Sequence, residues 1–255
     1  MDTEPPAAEL LAIAVQAADA AAAVLLPRFG SERPIATKSS ITDLVSAADL
    51  EAERAIRDVL AARVPQDAIM GEEGQDTPGT SGRRWIVDPL DGTVNYLYGI
   101  PAWCVSVACE GIAGVIVDPV RGERFTAVAG EGARLDGMRL TPQPETELAT
   151  ALIATGFGYT AERRRLQAAV AADVLPEVRD LRRAGAAALD LAWCAAGRLD
   201  GYWERGVQPW DIAAGELICR EAGLAVERLA VSGDLPAGIV VCGPALLPDL
   251  RALVA

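Results

Sequence analysis

The stretch Trp85–Asn95, "WIVDPLDGTVN", joins a short apolar run to two aspartates three residues apart, Asp88 and Asp91. The apolar run predicts a buried strand, and the Gly92-Thr93 pair predicts that a short helix begins directly after it. Buried carboxylates repel each other and are costly to desolvate unless a positive charge lies nearby. A bound metal ion would supply that charge. Because sites in open α/β folds gather where strands end, this stretch predicts both a fold class and the place of a site.

Composition narrows the classes of function. The 255-residue chain is 51% hydrophobic and carries a net charge of −13, which predicts one large or two smaller domains and argues against nucleic acid as a nonspecific partner. The acidic N-terminus and the lack of an apolar run near about 20 residues predict neither a secretory signal nor a membrane span. Five cysteines without a CxxC pair predict reduced core residues of a cytoplasmic protein.

The chain contains no histidine. This excludes Ser-His-Asp triads, phosphohistidine phosphatases and zinc sites with histidine ligands. Hydrolytic chemistry would therefore depend on carboxylates, hydroxyls and hard metal ions.

Periodicity and turn signals predict a chain of the α+β / α/β class, with an α+β part followed by an α/β part. Helices are predicted over 5–28 and 44–63, and a short strand is predicted in "DAIMGEEG". Short apolar runs from 103 to 140, with a hairpin signal at Asp136-Gly137, indicate an antiparallel meander. After a linker at 142–148, strands and helices alternate, which is typical of an α/β unit. The strands are expected near 150–155, 178–182, 200–204 and 238–242, and the helices near 161–174, 185–197, 211–223 and 245–254.

These patterns predict two subdomains. An N-terminal α+β subdomain over 1–145 would carry the metal-binding loops. A C-terminal α/β subdomain over 146–255 would complete the metal and substrate site.

Four acidic groups stand out as candidates for a metal site. They are Asp43 with Asp49, Glu72 with Glu73, Asp88 with Asp91, and Asp211. Three of these four groups have a structural alternative. Asp43 with Asp49, and likewise Asp211, suit the cap or the first turn of a helix. Glu72 with Glu73 suits a solvated turn. The pair at the end of the apolar strand has no such simple alternative.

The "DPLDG" segment has the chemistry of a site for a hard cation and a phosphate. Mg²⁺ prefers oxygen ligands, and the two carboxylates flank the backbone carbonyl of Leu90 in what we expect to be a tight turn. Gly92 and Thr93 then offer backbone N–H groups at a helix start, which suits an anion. Metal ions combined with such donors suit hydrolysis of a phosphate monoester.

Several motifs in order resemble those of the inositol monophosphatase family, in particular its bacterial inositol-1-monophosphatase branch. They are "KSSITDLVSAAD" (38–49), "GEE" (71–73), "WIVDPLDGTVNY" (85–96), "RRAGAAALDLAWCAAGRLDGYWE" (182–204) and "WDIAAGELICREAG" (210–223). The resemblance implies a layered αβαβα sandwich of the inositol monophosphatase / fructose-1,6-bisphosphatase type. It also implies a homodimer, two or three Mg²⁺ ions per site and inhibition by lithium.

The resemblance also implies roles for individual residues. The implied metal ligands are Glu72, Asp88, Leu90 through its carbonyl, Asp91 and Asp211. Thr93, with Asp49 behind it, would orient a water molecule that Glu72 helps to activate. Gly92 and Thr93 would hold the phosphate through backbone groups. Glu204 would bind hydroxyls of inositol, although a surface ion pair with Arg205 is the structural alternative for this residue.

Lys38 matches a lysine that the family carries near the site. Two positions depart from the family pattern. Ala186 stands where many members carry Ser or Thr near the substrate, which weakens the case for a sugar substrate. Leu224 stands where the family carries a second glycine.

The sequence therefore predicts a Mg²⁺-dependent phosphatase for inositol 1-phosphate or a similar small polyol phosphate. Histidinol phosphate, fructose 1,6-bisphosphate and 3′-phosphoadenosine nucleotides stay open as alternative substrates. A non-catalytic regulator that binds a protein partner is the alternative from another class.

Overall fold

The computed structural model describes residues 5–31, 34–37 and 44–255. Its helices are α1 (Ala7–Leu25), α2 (Ala47–Arg63), α3 (Thr93–Tyr98), α4 (Ala161–Val174), α5 (Ala187–Ala195), α6 (Pro209–Glu221) and α7 (Leu247–Val254). Its strands are β1 (Pro34–Thr37), β2 (Leu44–Ser46), β3 (Ala68–Gly71), β4 (Arg84–Asp91), β5 (Cys104–Cys109), β6 (Ala113–Asp118), β7 (Glu123–Val128), β8 (Gly132–Leu135), β9 (Met138–Arg139), β10 (Leu152–Thr155), β11 (Asp180–Arg182), β12 (Gly201–Arg205), β13 (Ala225–Leu229) and β14 (Gly238–Cys242).

These elements stack in five layers, which confirms the predicted αβαβα sandwich. The first layer is α1 and α2, which pack on a seven-stranded sheet of order β3-β4-β5-β6-β7-β8-β9. Helices α5 and α6 lie between this sheet and a five-stranded sheet of order β11-β10-β12-β14-β13. Helices α4 and α7 cover the outer face of the second sheet.

The sequence specifies this stacking because side chains of central strands alternate between two buried faces. In β5, Val105 and Val107 face α1 and α2, whereas Cys104 and Ala108 face the central helices. The second sheet divides its side chains in the same way. Central strands such as β5, β6 and β14 therefore consist mainly of apolar residues.

Helix α1 confirms the predicted first helix and extends through a 3₁₀ turn to Arg28. The segment Ala7–Arg28 is long and apolar enough to span a membrane by length and composition alone, contrary to the sequence prediction. Its small residues, including Ala14, Ala17 and Ala21, are fully buried against the first sheet. That packing is the behaviour of a core helix.

The predicted antiparallel meander is confirmed in β5 through β9. Its last hairpin turns at Asp136-Gly137, where both residues have positive φ, 49° and 82°. A two-residue turn of this kind matches the twist of the flanking strands, which is why the Asp-Gly pair predicted it.

Three predictions about elements need correction. The second helix begins at Ala47, because Leu44–Ser46 pairs with β1 as a strand and Ser46 caps the helix in an extended conformation. Strand β13 was not predicted, because its mixed sequence "AVERL" at a sheet edge lacks an apolar run. Asp88 and Asp91 belong to β4 itself, where the register with β5 shifts between them, and not to a turn after it.

The division into subdomains at 145 stays a prediction. The first sheet ends at Arg139 and the second begins at Leu152. Helix α6 nevertheless contacts strands of both sheets, so the two halves share one core.

Candidate active site

The irregular end of β4 turns two carboxylates toward a single cavity. The register shift between Asp88 and Asp91 is a β-bulge, a device that redirects side chains at a strand end, and Pro89 can occupy it without losing a ladder hydrogen bond. Asp88 is 1% exposed and Asp91 is 9% exposed. Gly92 follows with φ of 95°, and a Cβ there would lie 2.9 Å from the carbonyl oxygen of Ala102, so only glycine fits.

Asp91 serves as the cap of α5, a role that the sequence did not predict. Its Oδ2 accepts a hydrogen bond of 2.6 Å from the backbone N–H of Ala188, in the first turn of α5. The N-cap residue of α5 is Ala186, whose side chain makes no capping hydrogen bond. A carboxylate from a strand 97 residues away therefore replaces the usual Ser, Thr or Asp side chain of a helix cap.

The acidic side chains raise one another's pKa values. Burial, followed by the charges of Glu72, Asp91 and Asp211, raises the pKa of Asp88 well above its usual range. Burial also raises the pKa of Asp91 to about 7, although the amide of Ala188 opposes the shift. Burial and the charge of Asp91 raise the pKa of Asp211, which is half-buried in the first turn of α6. The site therefore concentrates negative charge that it does not compensate fully.

The structural alternative for Asp211, a helix cap, is confirmed in part. Its carboxylate accepts a 2.6 Å hydrogen bond from the backbone N–H of Gln208, which is the N-cap residue of α6. Asp211 itself is the third helical residue in this reciprocal capping arrangement.

Thr93 and Asp49 lie together behind the carboxylates. The Thr93 hydroxyl is 3.0 Å from Oδ1 of Asp49 and 3.2 Å from the carbonyl oxygen of Leu90, so it can donate its one proton to either. Asp49 also closes a capping box at the start of α2, where its Oδ2 accepts from the Ser46 amide at 2.9 Å. Asp49 thus joins a helix cap to the site, and both interpretations of this residue apply to it.

Glu204 extends from β12 into the same cavity. The buried Tyr202 hydroxyl donates a 2.8 Å hydrogen bond to its Oε2. Burial raises the pKa of Glu204, whereas the Tyr202 hydroxyl and the charge of Arg183 oppose the shift. A Cβ at Gly156 would lie 1.8 Å from Oε2, so glycine is required where this carboxylate rests.

Arg205 is not the partner of Glu204. Its guanidinium is buried on the other side of the strand and donates to the backbone carbonyls of Val254, Ala230 and Pro236. Alternate residues of a strand point to opposite faces, which separates the two charges. The structural alternative of a Glu204–Arg205 ion pair is therefore wrong.

The predicted site residues meet in one cavity of about 410 Å³. Its walls contain nine of the residues named from the sequence: Glu72, Asp88, Leu90, Asp91, Gly92, Thr93, Ala186, Glu204 and Asp211. Asp49 lies behind the wall and reaches it through Thr93. Lys38 and Asp43 lie outside the described residues.

The donors around the cavity fit a hard cation. The proposed ligands supply oxygen atoms only, from the carboxylates of Glu72, Asp88, Asp91 and Asp211 and from the Leu90 carbonyl. The raised pKa values of Asp88, Asp91 and Asp211 indicate that the protein does not fully compensate their negative charge. No three Asp, Glu or Cys side chains within 5–31, 34–37 and 44–255 form a preassembled metal-binding group. The carboxylates therefore line an open cavity, in which a substrate oxygen or water has room to complete a coordination shell.

Sequence reasoning missed Asp190, which lines the cavity from α5. It is 1% exposed, and its Oδ1 has no hydrogen-bond partner among the residues that the structure describes. Burial, followed by the charges of Asp91 and Glu204, raises its pKa well above the usual range. A signal was present, because a single carboxylate inside the apolar helix "AALDLAWCA" is a buried charge that needs a reason.

Comparisons with known proteins agree with this geometry. A model described as "Inositol monophosphatase family" matches residues 7–254. The inositol-1-monophosphatase of Mycobacterium bovis is 43% identical, over 98% of this chain and 94% of its own length. A Salmonella typhimurium protein named Nus factor SuhB is 38% identical, over 95% of this chain and 96% of its own.

Solved structures give the same relationship. The extragenic suppressor protein suhB of Bartonella henselae superposes with a TM-score of 0.88 at 37% identity, over 96% of this chain and 98% of its own. The inositol monophosphatase of Anabaena superposes with a TM-score of 0.82 at 32% identity, over 97% and 95%. Family model, full-length relatives and fold agree, and the chain belongs to the inositol monophosphatase family of phosphatases.

Proposed function

We propose that the protein is a Mg²⁺-dependent phosphomonoesterase that hydrolyses inositol 1-phosphate or a similar small polyol phosphate. One observation carries this proposal. A single cavity is lined both by the carboxylates of β4 and by Glu204, whose Oε2 accepts a hydrogen bond from Tyr202. The first group suits a metal ion with its bound phosphate, and the second suits the hydroxyls of an alcohol.

Glu72, Asp88, Asp91, Asp211 and the Leu90 carbonyl would hold the Mg²⁺ ions, two or three per site. When bound, such ions polarise phosphoryl oxygens and lower the pKa of water. The raised pKa values of Asp88, Asp91 and Asp211 support the assignment, because a cation would offset the burial and the mutual repulsion that raise them.

Thr93 and Asp49 would orient the attacking water. When the Thr93 hydroxyl donates its hydrogen bond to Asp49, 3.0 Å away, its lone pairs are free to accept a hydrogen bond from a water molecule. Glu72, which also lines the cavity, would accept a proton from that water. The backbone groups of Gly92 and Thr93 would hold the phosphate, as the family resemblance implies.

Glu204 would accept hydrogen bonds from substrate hydroxyls. Tyr202 occupies one lone pair of its Oε2 and so fixes the carboxylate in one orientation. Ala186 lines the cavity with a methyl group where many relatives have a hydroxyl, so substrate recognition would depend more strongly on Glu204.

A substrate panel tests the proposal. We expect the highest kcat/KM with inositol 1-phosphate or another polyol monophosphate in the presence of Mg²⁺. Preference for histidinol phosphate, fructose 1,6-bisphosphate or a 3′-phosphoadenosine nucleotide would keep the phosphatase and replace the substrate. Absence of turnover with every phosphate ester in Mg²⁺ would favour a regulatory binding protein, the alternative that the Nus factor name of the Salmonella relative supports.

Location and assembly complete the proposal. All five cysteines are buried and free, which supports a reducing, cytoplasmic location. The proposal also includes a homodimer, inhibition by lithium, and neither nucleic-acid nor membrane partners. Sedimentation equilibrium and a lithium titration of the activity test the first two.

A further inference from the structure

A buried ion pair on α2 lies directly beneath the segment that carries Glu72. Glu53 and Arg57 are one helical turn apart, and Oε1 of Glu53 accepts a 2.7 Å hydrogen bond from Nε of Arg57. The side chain of Glu53 is only 3% exposed and that of Arg57 is 20% exposed. A buried pair of this kind is costly to desolvate and needs further hydrogen bonds to be tolerated.

Those further hydrogen bonds go to the Glu72 segment. Oε2 of Glu53 accepts a 2.7 Å bond from the backbone N–H of Glu73, the residue next to Glu72. Nη1 of Arg57 donates a 3.1 Å bond to the Thr77 hydroxyl. Thr77 in turn exchanges backbone hydrogen bonds of 2.8 and 2.9 Å with Ile69 in β3. The ion pair therefore holds the segment on both sides of its exposed loop.

The two glycines around Glu72 and Glu73 are explained by the same contact. A Cβ at Gly71 would lie 2.6 Å from Oε1 of Glu53, and a Cβ at Gly74 would lie 2.5 Å from it. Neither glycine is among those with positive φ, so backbone conformation does not require glycine at either position. Close approach of the backbone to the ion pair requires it.

The same helix also contacts Thr93, a second residue that lines the cavity. Asp49, Glu53 and Arg57 are spaced by four residues and lie on one face of α2. Asp49 contacts the Thr93 hydroxyl, and Glu53 contacts the Glu73 amide. One rigid helix thus contacts both segments that carry the proposed water-binding groups.

We infer that Glu53 and Arg57 are a positioning pair that sets the distance between Glu72 and Thr93 and thereby the affinity for Mg²⁺. This inference rests on the proposed function, because it takes Glu72 as a metal ligand. Residues behind a metal ligand typically change metal affinity or activity by about 10- to 100-fold when replaced. Neither Glu53 nor Arg57 is among the residues that line the cavity.

Glu53→Gln is the first test, because it keeps the shape and removes the charge that binds Arg57. We expect the Mg²⁺ concentration for half-maximal activity to rise about 10- to 100-fold. The KM for substrate at saturating Mg²⁺ should stay within about twofold, as expected for a group that does not touch substrate. Mg²⁺ binding by calorimetry, without substrate, should weaken by the same factor. Arg57→Lys keeps a cation opposite Glu53 but loses the planar fork to Thr77, so a smaller shift in the same direction is expected.

Asp67→Asn is the matched control. Asp67 is also a buried carboxylate paired to an arginine, Arg83, at 2.8 Å, but it holds the other end of the loop. This control should lose thermal stability and keep its affinity for Mg²⁺. Equal weakening in Asp67→Asn and Glu53→Gln would show a general effect of destabilisation and overturn the inference. Unchanged calorimetric Mg²⁺ affinity in Glu53→Gln would also overturn it.

Hydrogen–deuterium exchange separates this inference from the proposed function. In Glu53→Gln, amides over 71–77 should exchange about tenfold faster than in the wild type, since a tenfold change needs only the loss of one such bond. Wild-type protein without Mg²⁺ binding or turnover would contradict the proposed function, while this exchange result would still decide whether the pair holds the segment. Unchanged exchange over 71–77 would refute the positioning role.

Discussion

The hydrogen bond from Tyr202 to Glu204 allows a sharp test of how the alcohol part of the substrate is recognised. Tyr202→Phe removes only the hydroxyl oxygen, which lies 2.8 Å from Oε2 of Glu204, and keeps the fully buried ring. The carboxylate then loses the donor that fixes its orientation. Because that donor also lowers the pKa of Glu204 against the effect of burial, the pKa should rise further in the variant.

The magnitude follows from the kind of bond. A hydrogen bond to a charged acceptor contributes roughly 1.5–3 kcal/mol. Since about 1.4 kcal/mol corresponds to a factor of ten, we expect kcat/KM for inositol 1-phosphate to fall by about 10- to 100-fold. The rate with 4-nitrophenyl phosphate should change by less than about twofold, because that substrate has no hydroxyl for Glu204 to bind. Steady-state kinetics with both substrates at saturating Mg²⁺ measure the difference.

Tyr96→Phe is the matched control for this experiment. Tyr96 is also fully buried, and its hydroxyl donates a 2.7 Å hydrogen bond to the carbonyl of Leu25, far from Glu204 in the chain. Tyr96→Phe should lose about 1 kcal/mol of stability, and Tyr202→Phe roughly 1.5–3 kcal/mol because its acceptor is charged. Only Tyr202→Phe should discriminate between the substrates. An equal loss with both substrates, or none with inositol 1-phosphate, would refute the assignment of Glu204 to substrate hydroxyls.

Four further substitutions test the site and its surroundings. Asp91→Asn should abolish activity, leave the circular dichroism spectrum unchanged and remove the rise in melting temperature on adding Mg²⁺; near wild-type turnover in low Mg²⁺ would contradict the metal assignment. Thr93→Ala should lower kcat by roughly 10²–10⁴ with little change in KM, whereas Thr93→Ser should retain activity; equal kcat values would reduce Thr93 to a helix cap. Asp190→Asn should stabilise the metal-free protein by about 1 kcal/mol at pH 7, because the raised pKa of Asp190 makes its ionisation unfavourable in the folded state. Urea unfolding should show that this gain vanishes below about pH 4, where the carboxyl is protonated in both states. A gain independent of pH would contradict this reasoning. Asp67→Asn should destabilise the protein by about 2 kcal/mol at pH 7, because hydrogen bonds from Arg83, Ser81 and Trp85 outweigh the effect of burial and lower the pKa of Asp67. The stability that the Asp67 carboxylate contributes is present above about pH 4 and is lost as the pH falls through the lowered pKa. A constant difference in stability between variant and wild type from pH 7 to pH 2 would refute this explanation.

The elements of the fold were predictable where the sequence has a strong period. The apolar runs and turn signals predicted most of the elements, whereas the five-layer arrangement was implied by the family resemblance. Strand β13 was not predicted because its mixed sequence lacks an apolar run. It belongs to the sheet through antiparallel pairing with β14 at the sheet edge. The extended segment before α2 escaped because its pairing with β1, and not a pattern in its own three residues, makes it a strand.

Residues of the site were predictable where chemistry is concentrated in a short motif. Asp88 and Asp91 occupy one motif, and the cavity gathers them with Glu72, Thr93, Glu204 and Asp211. The supporting contacts join distant segments. Asp91 reaches Ala188 across 97 positions and Glu53 reaches Glu73 across 20. No spacing rule for helices or strands links such pairs, so only the folded structure reveals them.

The compensation of each buried carboxylate indicates where a cation is needed most. Asp91 receives N–H groups of α5, Asp49 receives those of Ser46 and the Thr93 hydroxyl, and Asp211 receives the N–H of Gln208. Among the residues that the structure describes, Asp88 receives one amide, that of Leu90 at 3.0 Å, while three other carboxylates act on it. Asp88 and Asp211 each receive one backbone amide while three other carboxylates raise their pKa values, so a metal ion bound between them would supply the charge that the protein does not.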